Sequence, residues 1–437
     1  MDKAPRPFQI GLYFGFGLLM FAALILLMTF QGVGSSDESR VGPVTIWGTV
    51  DASVMNRRIN EFRNVQDQRT FQQVQYRQIR EEVFNTELVN AIAEQRQPDV
   101  VIIPNRLFIE HRNLLVPISY ERISRRATQD TFIDGFDLYA RSNGLYALPF
   151  GVDPLIMYWN RDIFATNGFS QAPQTWEEIV NSIVPTVVRR TVDRRVTMSP
   201  VALGYYENNR NAFALLSTLL LQSGSRMVTE QNGNYSVELN TALPGGQPNP
   251  LVATVNFFTR FGNPSDTLYT WNRTKRQDRQ EFLSGDLAIY FGLGSEYGEL
   301  RQQNPNLNFD VARIPQSADA TIQRTYADFY GMSILQSARN PNGAFQVVQE
   351  LAMTSNLLPI VTELNLAPPH RSLIGAGSSA PVEQVIYSSA LVARGWLNPR
   401  WQRTDDLFLQ MISDVQSGRN PSPAAARDTV LQLRRLY

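Results

Sequence analysis

The chain opens on an uninterrupted apolar run, residues 8–30 (FQIGLYFGFGLLMFAALILLMTF), in which no side chain is charged. As a helix rising ~1.5 Å per residue, this run would span about 34 Å, enough to cross a bilayer core. Lys3 and Arg6 precede it, and Asp37 and Glu38 follow it. The positive-inside rule therefore puts residues 1–7 in the cytoplasm and everything after Gln31 outside. A cleavable signal holds only about 7–15 apolar residues and ends in small ones. The expectation is thus an uncleaved signal anchor over 8–30, with 31–42 as a flexible tether. The small residues at 32–36 keep cleavage there as the alternative. The location that follows is the plasma membrane, single-pass, with the folded part on the extracytoplasmic side.

Past residue 43 the rhythm changes to short alternating elements. Val44-Thr45-Ile46-Trp47 has the β-branched and aromatic content of a strand. Residues 52–62 place Val54, Ile59 and Phe62 at helical spacing, and residues 71–76 (FQQVQY) alternate apolar and polar as a half-buried strand does. Residues 87–93 suit a helix, and Val100-Val101-Ile102-Ile103 a buried strand. Strand, helix, strand, helix, strand is the order of a parallel α/β sheet. Farther on, residues 144–160 predict two apolar strands around Pro149 and Gly151. A helix over 175–183 follows, with Thr175 as N-cap and Glu178 three residues later. Further helices are expected over 212–224, 250–260, 342–352 and 404–417, and a strand over 330–334.

A chain of 437 residues is long enough for two domains. Its 40 basic and 40 acidic residues cancel, so no global field exists to recruit nucleic acid, and no nucleic-acid partner is expected. Cysteine is absent, which excludes disulfides, thiolate metal sites, a cysteine nucleophile and a lipidated N-terminal cysteine. With His111 and His370 as the two histidines, a zinc site of ordinary ligands is not expected either, and no cofactor is called for. There is no nucleophile elbow, phosphate-binding loop or His-Glu-x-x-His pair. A glycosidase built on two carboxylates leaves no sequence signature and stays open; otherwise the chain is not expected to be an enzyme. The remaining candidate chemistry is aromatic. Trp47 ends the first strand, Trp271 stands among Tyr269, Thr270, Asn272 and Arg273, and Tyr326, Phe329 and Tyr330 cluster. Flat aromatic faces stack on sugar rings, although core packing is what most aromatics do. Trp271 draws attention because its sequence neighbours are polar; Trp176, beside the Thr175 cap, is expected to be structural.

The run Tyr146-Ala147-Leu148-Pro149, then Met157-Tyr158-Trp159-Asn160-Arg161-Asp162-Ile163-Phe164, Gly168 and Pro173-Gln174-Thr175-Trp176-Glu177-Glu178 resembles the signature of the bacterial extracellular solute-binding proteins of the maltose-binding type. Pro98-Asp99-Val100, Phe282-Leu283-Ser284-Gly285 and Gly418-Arg419 match further segments in the same order, so the resemblance covers residues 43–437. It implies a two-lobed α/β fold of the periplasmic-binding-protein kind (type II), with three hinge crossovers and the N-terminal transmembrane helix ahead of it. Lobe one is expected at 43–152 plus 327–368, and lobe two at 153–326 plus 369–437. The resemblance also implies a small-molecule ligand, with a carbohydrate favoured, and ABC permease subunits as partners. A non-sugar solute such as a polyamine, phosphodiester or peptide stays open, as does an anchored sensor. Mapped onto this sequence, the implied ligand-site residues are Trp47, Asp153, Trp271, Tyr326, Phe329 and Arg371.

Overall fold

Three short strands with little charge begin the folded part, and each is followed by a helix. The computed structural model describes residues 41–65, 69–193, 195–231, 233–241 and 249–437. The expected anchor at 8–30 lies outside the described residues. Among those described, no helix is long and apolar enough to cross a membrane. Strand β1 (Val44–Gly48) leads to helix α1 (Ala52–Arg63), whose first turn is capped by the Asp51 carboxylate accepting from the amides of Ser53 and Val54. Strand β2 (Val74–Gln78) leads to α2 (Glu81–Ala93), and β3 (Val100–Pro104) to α3 (Asn105–His111). β1 lies between β2 and β3 and is parallel to both, as strand–helix–strand units require.

The next long strand, β4 (Leu148–Asn160), is buried at all 13 positions. The two strands expected around Pro149 and Gly151 are one. A bulge at Phe150 absorbs the irregularity, with Gly331 of the neighbouring strand opposite Pro149 and Tyr330 opposite Gly151. After β4 the Thr175–Glu178 capping box forms as the sequence suggested, and the helix it starts widens into a π-helical turn over Ile179–Ile183. The chain then builds a second layered unit from β5 (Val196–Val201), α4 (Ala212–Gln222), α5 (Asp278–Leu283), β6 (Leu287–Leu293), α6 (Glu296–Gln303) and β7 (Phe309–Ala312). Strand β8 (Thr325–Leu335) returns to the first unit, where α7 (Pro341–Ala352) and α8 (Thr354–Glu363) pack. Helices α9 (Pro381–Val392), α10 (Trp401–Gln416) and α11 (Ser422–Arg434) close the chain on the second.

The strands run in the order β2-β1-β3-β8-β4-β6-β5, and β7 also pairs with β4. β4 joins the two units: Leu148 to Pro154 pair with β8, and Leu155 to Trp159 pair with β6. At Val152 three passes of the chain lie side by side. Phe329 is its partner on β8, and on the other edge Val152 and Ala367 exchange backbone hydrogen bonds of 2.9 and 2.8 Å. The fold is therefore two α/β lobes joined through adjacent extended strands, and such strands bend with little loss of packing.

Candidate functional site

At the ends of β2 and β3 the chain turns into helices, and in an open α/β sheet ligands bind outside such ends. Here those turns present Glu81 and Arg106. The Arg106 guanidinium takes Glu81 bidentately through Nε and Nη2, and its Nη1 donates to Asp328 on β8. Tyr326 donates its hydroxyl to the other Asp328 oxygen at 2.8 Å. Asp328 is fully buried. Burial opposes the charge on Arg106, yet the Glu81 carboxylate more than offsets it and holds the guanidinium protonated well above its ordinary range.

Across from this cluster stands the second lobe. The Arg106 guanidinium lies 4.9 Å from the centre of the Trp401 ring, and Gln402 Nε2 donates to the Glu82 carbonyl at 2.8 Å. Trp401 is half-buried and braced edge-on by Phe213, 4.6 Å away. The lobe-two wall is a polar network around Glu296 at the start of α6. Its carboxylate accepts from Tyr290 Oη (2.6 Å), Asn211 Nδ2 (2.8 Å) and the amide of Leu293 (3.0 Å). Arg210 and Arg279 lie beside it at 3.5 and 3.8 Å, and Arg279 donates to Glu299 at 2.6 Å. Between the walls is a cleft of about 860 Å³, with Glu81 and Arg106 on one side, Asn209, Glu296 and Trp401 on the other, and Tyr326 and Asp328 between them. That volume falls in the range of small-molecule sites, ~300–1,000 Å³.

Directly beneath the cleft, Asp153 faces Asp328 across the β4–β8 pair and accepts the Ser295 amide at 2.9 Å. Burial pushes its carboxyl up to about 7; the Ser295 hydrogen bonds oppose the rise and Glu296 adds to it. An acid that keeps its proton longer when folded than when unfolded stabilises the fold at low pH, and that contribution fades as pH climbs from about 4 to about 7. Asp153→Asn keeps an acceptor for Ser295 and removes the titration. Its stability relative to the parent should therefore rise across that window, as urea denaturation at a series of pH values would measure. A pH-independent difference would place the proton elsewhere.

The sequence profile of the bacterial extracellular solute-binding proteins matches residues 72–377, more than half of the chain. The chain belongs to that family. It is a family of binding proteins, not of enzymes. No relative among curated proteins matches the chain. The structure is similar to a cyclo/maltodextrin-binding protein complexed with maltotetraose (TM-score 0.71, 17% identity, 90% of this chain and 96% of that one). It is also similar to the sugar-binding protein MalE of Xanthomonas citri (0.71, 17%, 90% and 97%). A third likeness is to an ABC transporter solute-binding protein of Thermotoga lettingae bound with α-D-tagatose (0.69, 14%, 90% and 99%). At these identities the likeness is one of fold.

Within this solute-binding fold the six residues singled out from sequence scatter. Tyr326 lines the cleft, and Asp153 lies one layer beneath it. Trp47 lies inside β1, one residue short of its end, and not at the cleft. It is 4% exposed and covered by the Arg77 guanidinium 4.9 Å from its ring. Phe329 is buried against Phe136, edge-on at 5.2 Å, and against Gly135, where an added Cβ would come within 2.0 Å of the Phe329 ring. Arg371 pairs with Asp134 and donates to the Gln129 carbonyl at 3.1 Å, in a separate recess of about 120 Å³ with Tyr120 and Phe132. Trp271 is fully buried, its indole N–H donating to Asn208 Oδ1 at 2.9 Å. The aromatic half-exposed in the cleft is Trp401. Glu81 and Arg106, which sequence reasoning passed over, were marked by their place at the ends of predicted strands; Trp401 and Asp328 carried no comparable signal.

Proposed function

We propose that this solute-binding protein is a receptor that captures a carbohydrate between its lobes and hands it to the permease of an ABC importer. The observation that carries the reading is the cleft itself, walled by polar side chains from both lobes and with Trp401 offering a half-exposed ring. Planar hydrogen-bonding groups take sugar hydroxyls, and an indole takes the apolar face of a pyranose. Sugars are what the structurally similar proteins hold, maltotetraose in one and tagatose in another, which supports the choice of ligand class. In this account the lobes divide at 43–152 plus 327–368 and 153–326 plus 369–437, and residues 8–30 tether the receptor to the outer face of the membrane.

Trp401→Ala is expected to weaken binding of the best saccharide by about 2 kcal/mol, roughly thirtyfold, because a central aromatic anchor is lost. The fold should persist, since the ring is half-exposed. Calorimetric titration of variant and parent measures this; equal affinities would remove Trp401 from the site. The tether is checked by mass spectrometry of the protein recovered from cells. A chain retaining residues 8–30 in the membrane fraction is expected, and a soluble chain starting near Gly34 would refute the tether.

A further inference from the structure

Each wall of the cleft is tied to one of two buried aspartates that face each other on the hinge strands. On β8, Asp328 accepts from Arg106, which holds Glu81 and the lobe-one wall. Opposite it on β4, Asp153 accepts the amide of Ser295, the residue before α6, and α6 opens with Glu296. The β6 strand leaves the β4 ladder at Leu293, which pairs with Leu155. Three further bonds keep the departing chain on β4. Tyr158 Oη donates to the Leu293 carbonyl at 2.7 Å, the Gly294 amide donates to the Pro154 carbonyl at 3.0 Å, and the Ser295 amide donates to Asp153 at 2.9 Å. Of the three, the Asp153 bond is the one nearest Glu296. Ser295 and Glu296 line the cleft, whereas Asp153 is 1% exposed and stands behind them, out of reach of a ligand. Glu296 in turn gathers Tyr290 and Asn211, so a shift of this turn displaces the lobe-two wall.

The strength of that hold depends on charge. A carboxylate accepts a backbone N–H about twice as strongly as a neutral group does, and the N-terminal end of a helix favours negative charge. The groups facing Asp153 are Asp328, Tyr326 and Tyr330 on β8, Tyr158 on β4, Glu296 on α6 and Arg106 on α3. Arg106 offsets Asp328, and burial keeps the three tyrosines neutral. Charge on Asp153 is opposed by Glu296 and favoured by the Ser295 amide and the dipole of α6. We propose that Asp153 is a positioning residue: through the Ser295 amide its carboxylate holds the first turn of α6, and with it Glu296, in the arrangement that binds ligand. The inference rests on the reading of this cleft as a saccharide site. A wall in place only part of the time lowers the apparent affinity by that fraction. Affinity should therefore rise as Asp153 loses its proton, which it does near pH 7.

The test compares the full-length parent with Asp153→Asn and Asp153→Ala in two measurements. Hydrogen–deuterium exchange of the peptide covering 293–303 needs no ligand. Asp153→Ala should speed its exchange at least about tenfold, and Asp153→Asn much less, because the amide oxygen still accepts from Ser295. Calorimetric titration with glucose, galactose, maltose and maltotriose is the second measurement. For whichever of these binds, parent affinity is expected to rise about fivefold between about pH 5 and about pH 8. Asp153→Asn should stay flat across that range, and Asp153→Ala should bind most weakly throughout. A residue that merely supports the fold would lower the melting temperature of both variants and leave the local exchange and the pH profile of affinity as in the parent. Unchanged exchange over 293–303 in Asp153→Ala overturns the positioning role, whatever the sugars do. If the exchange responds but Asp153→Asn keeps the parent's pH profile, the coupling of Asp153 to binding is overturned. If none of the sugars binds, the carbohydrate reading fails, and the exchange measurement still decides the positioning.

Discussion

Replacing Arg106 with methionine is expected to destabilise the protein by about 3–5 kcal/mol, the scale on which breaking a buried ion pair from one side acts. Arg106 neutralises both Glu81 and the fully buried Asp328, so its removal leaves two carboxylates facing one another at the hinge side of the cleft. They would respond by holding protons to higher pH. The deficit should therefore be largest near neutrality and narrow as the solution is acidified. Urea denaturation of Arg106→Met across pH would show this. Adding Glu81→Gln and Asp328→Asn to the same chain should recover most of the loss, because the uncompensated charge is gone. A loss below about 1 kcal/mol in the single variant would mean that water or a rearranged side chain replaces the guanidinium, and that the cluster does not organise the cleft.

Trp271→Ala should act through stability rather than affinity. The ring is fully buried, and truncating a buried tryptophan costs about 3–5 kcal/mol. Its N–H also fixes Asn208, whose own amide donates to the carbonyls of Asn272 and Lys275 at 3.0 and 3.1 Å. Asn208 immediately precedes the cleft-lining Asn209, so Trp271 supports the lobe-two wall from behind. Trp271→Phe keeps most of the volume and orphans only Asn208 Oδ1, and should cost about 1–3 kcal/mol. Melting curves paired with titration separate the alternatives. Trp271→Phe is expected to melt earlier and bind within a few-fold of the parent. An unchanged melting curve with lost affinity would instead put the ring in contact with ligand.

The two tryptophans show how far sequence reasoning reached. Trp271 stands among polar neighbours, which suggests an exposed ring. The group that satisfies its indole N–H is Asn208, 63 positions earlier in the chain, and nothing local signals that pairing. Trp401 sits in an equally ordinary run and reaches the cleft because α10 packs its first turn against Arg106 and Phe213. Trp47 and Phe329 belong to buried strands, and in a sheet covered on both faces the alternation that would tell inside from outside is erased. What was legible is local: the Thr175 capping box, the charge-free strand at Val100, and the helical periods of 52–62 and 342–352. Pro149 and Gly151 misled because the strand runs on through a bulge at Phe150 between them, paired with a segment almost two hundred residues away that nothing local signals. Glu81 and Arg106 were within reach, since the predicted strand ends are where an open α/β sheet places its ligands.

Occupancy of the cleft between the lobes by a saccharide is what the receptor reading requires. A thermal-shift screen of the full-length chain against a panel of mono- and oligosaccharides measures this, because any ligand that prefers the folded state raises the melting temperature by mass action. The predicted result is a concentration-dependent rise with at least one saccharide, moved to roughly thirtyfold higher concentration by Trp401→Ala. No rise with any sugar, or a rise that survives unchanged in Trp401→Ala, would contradict it.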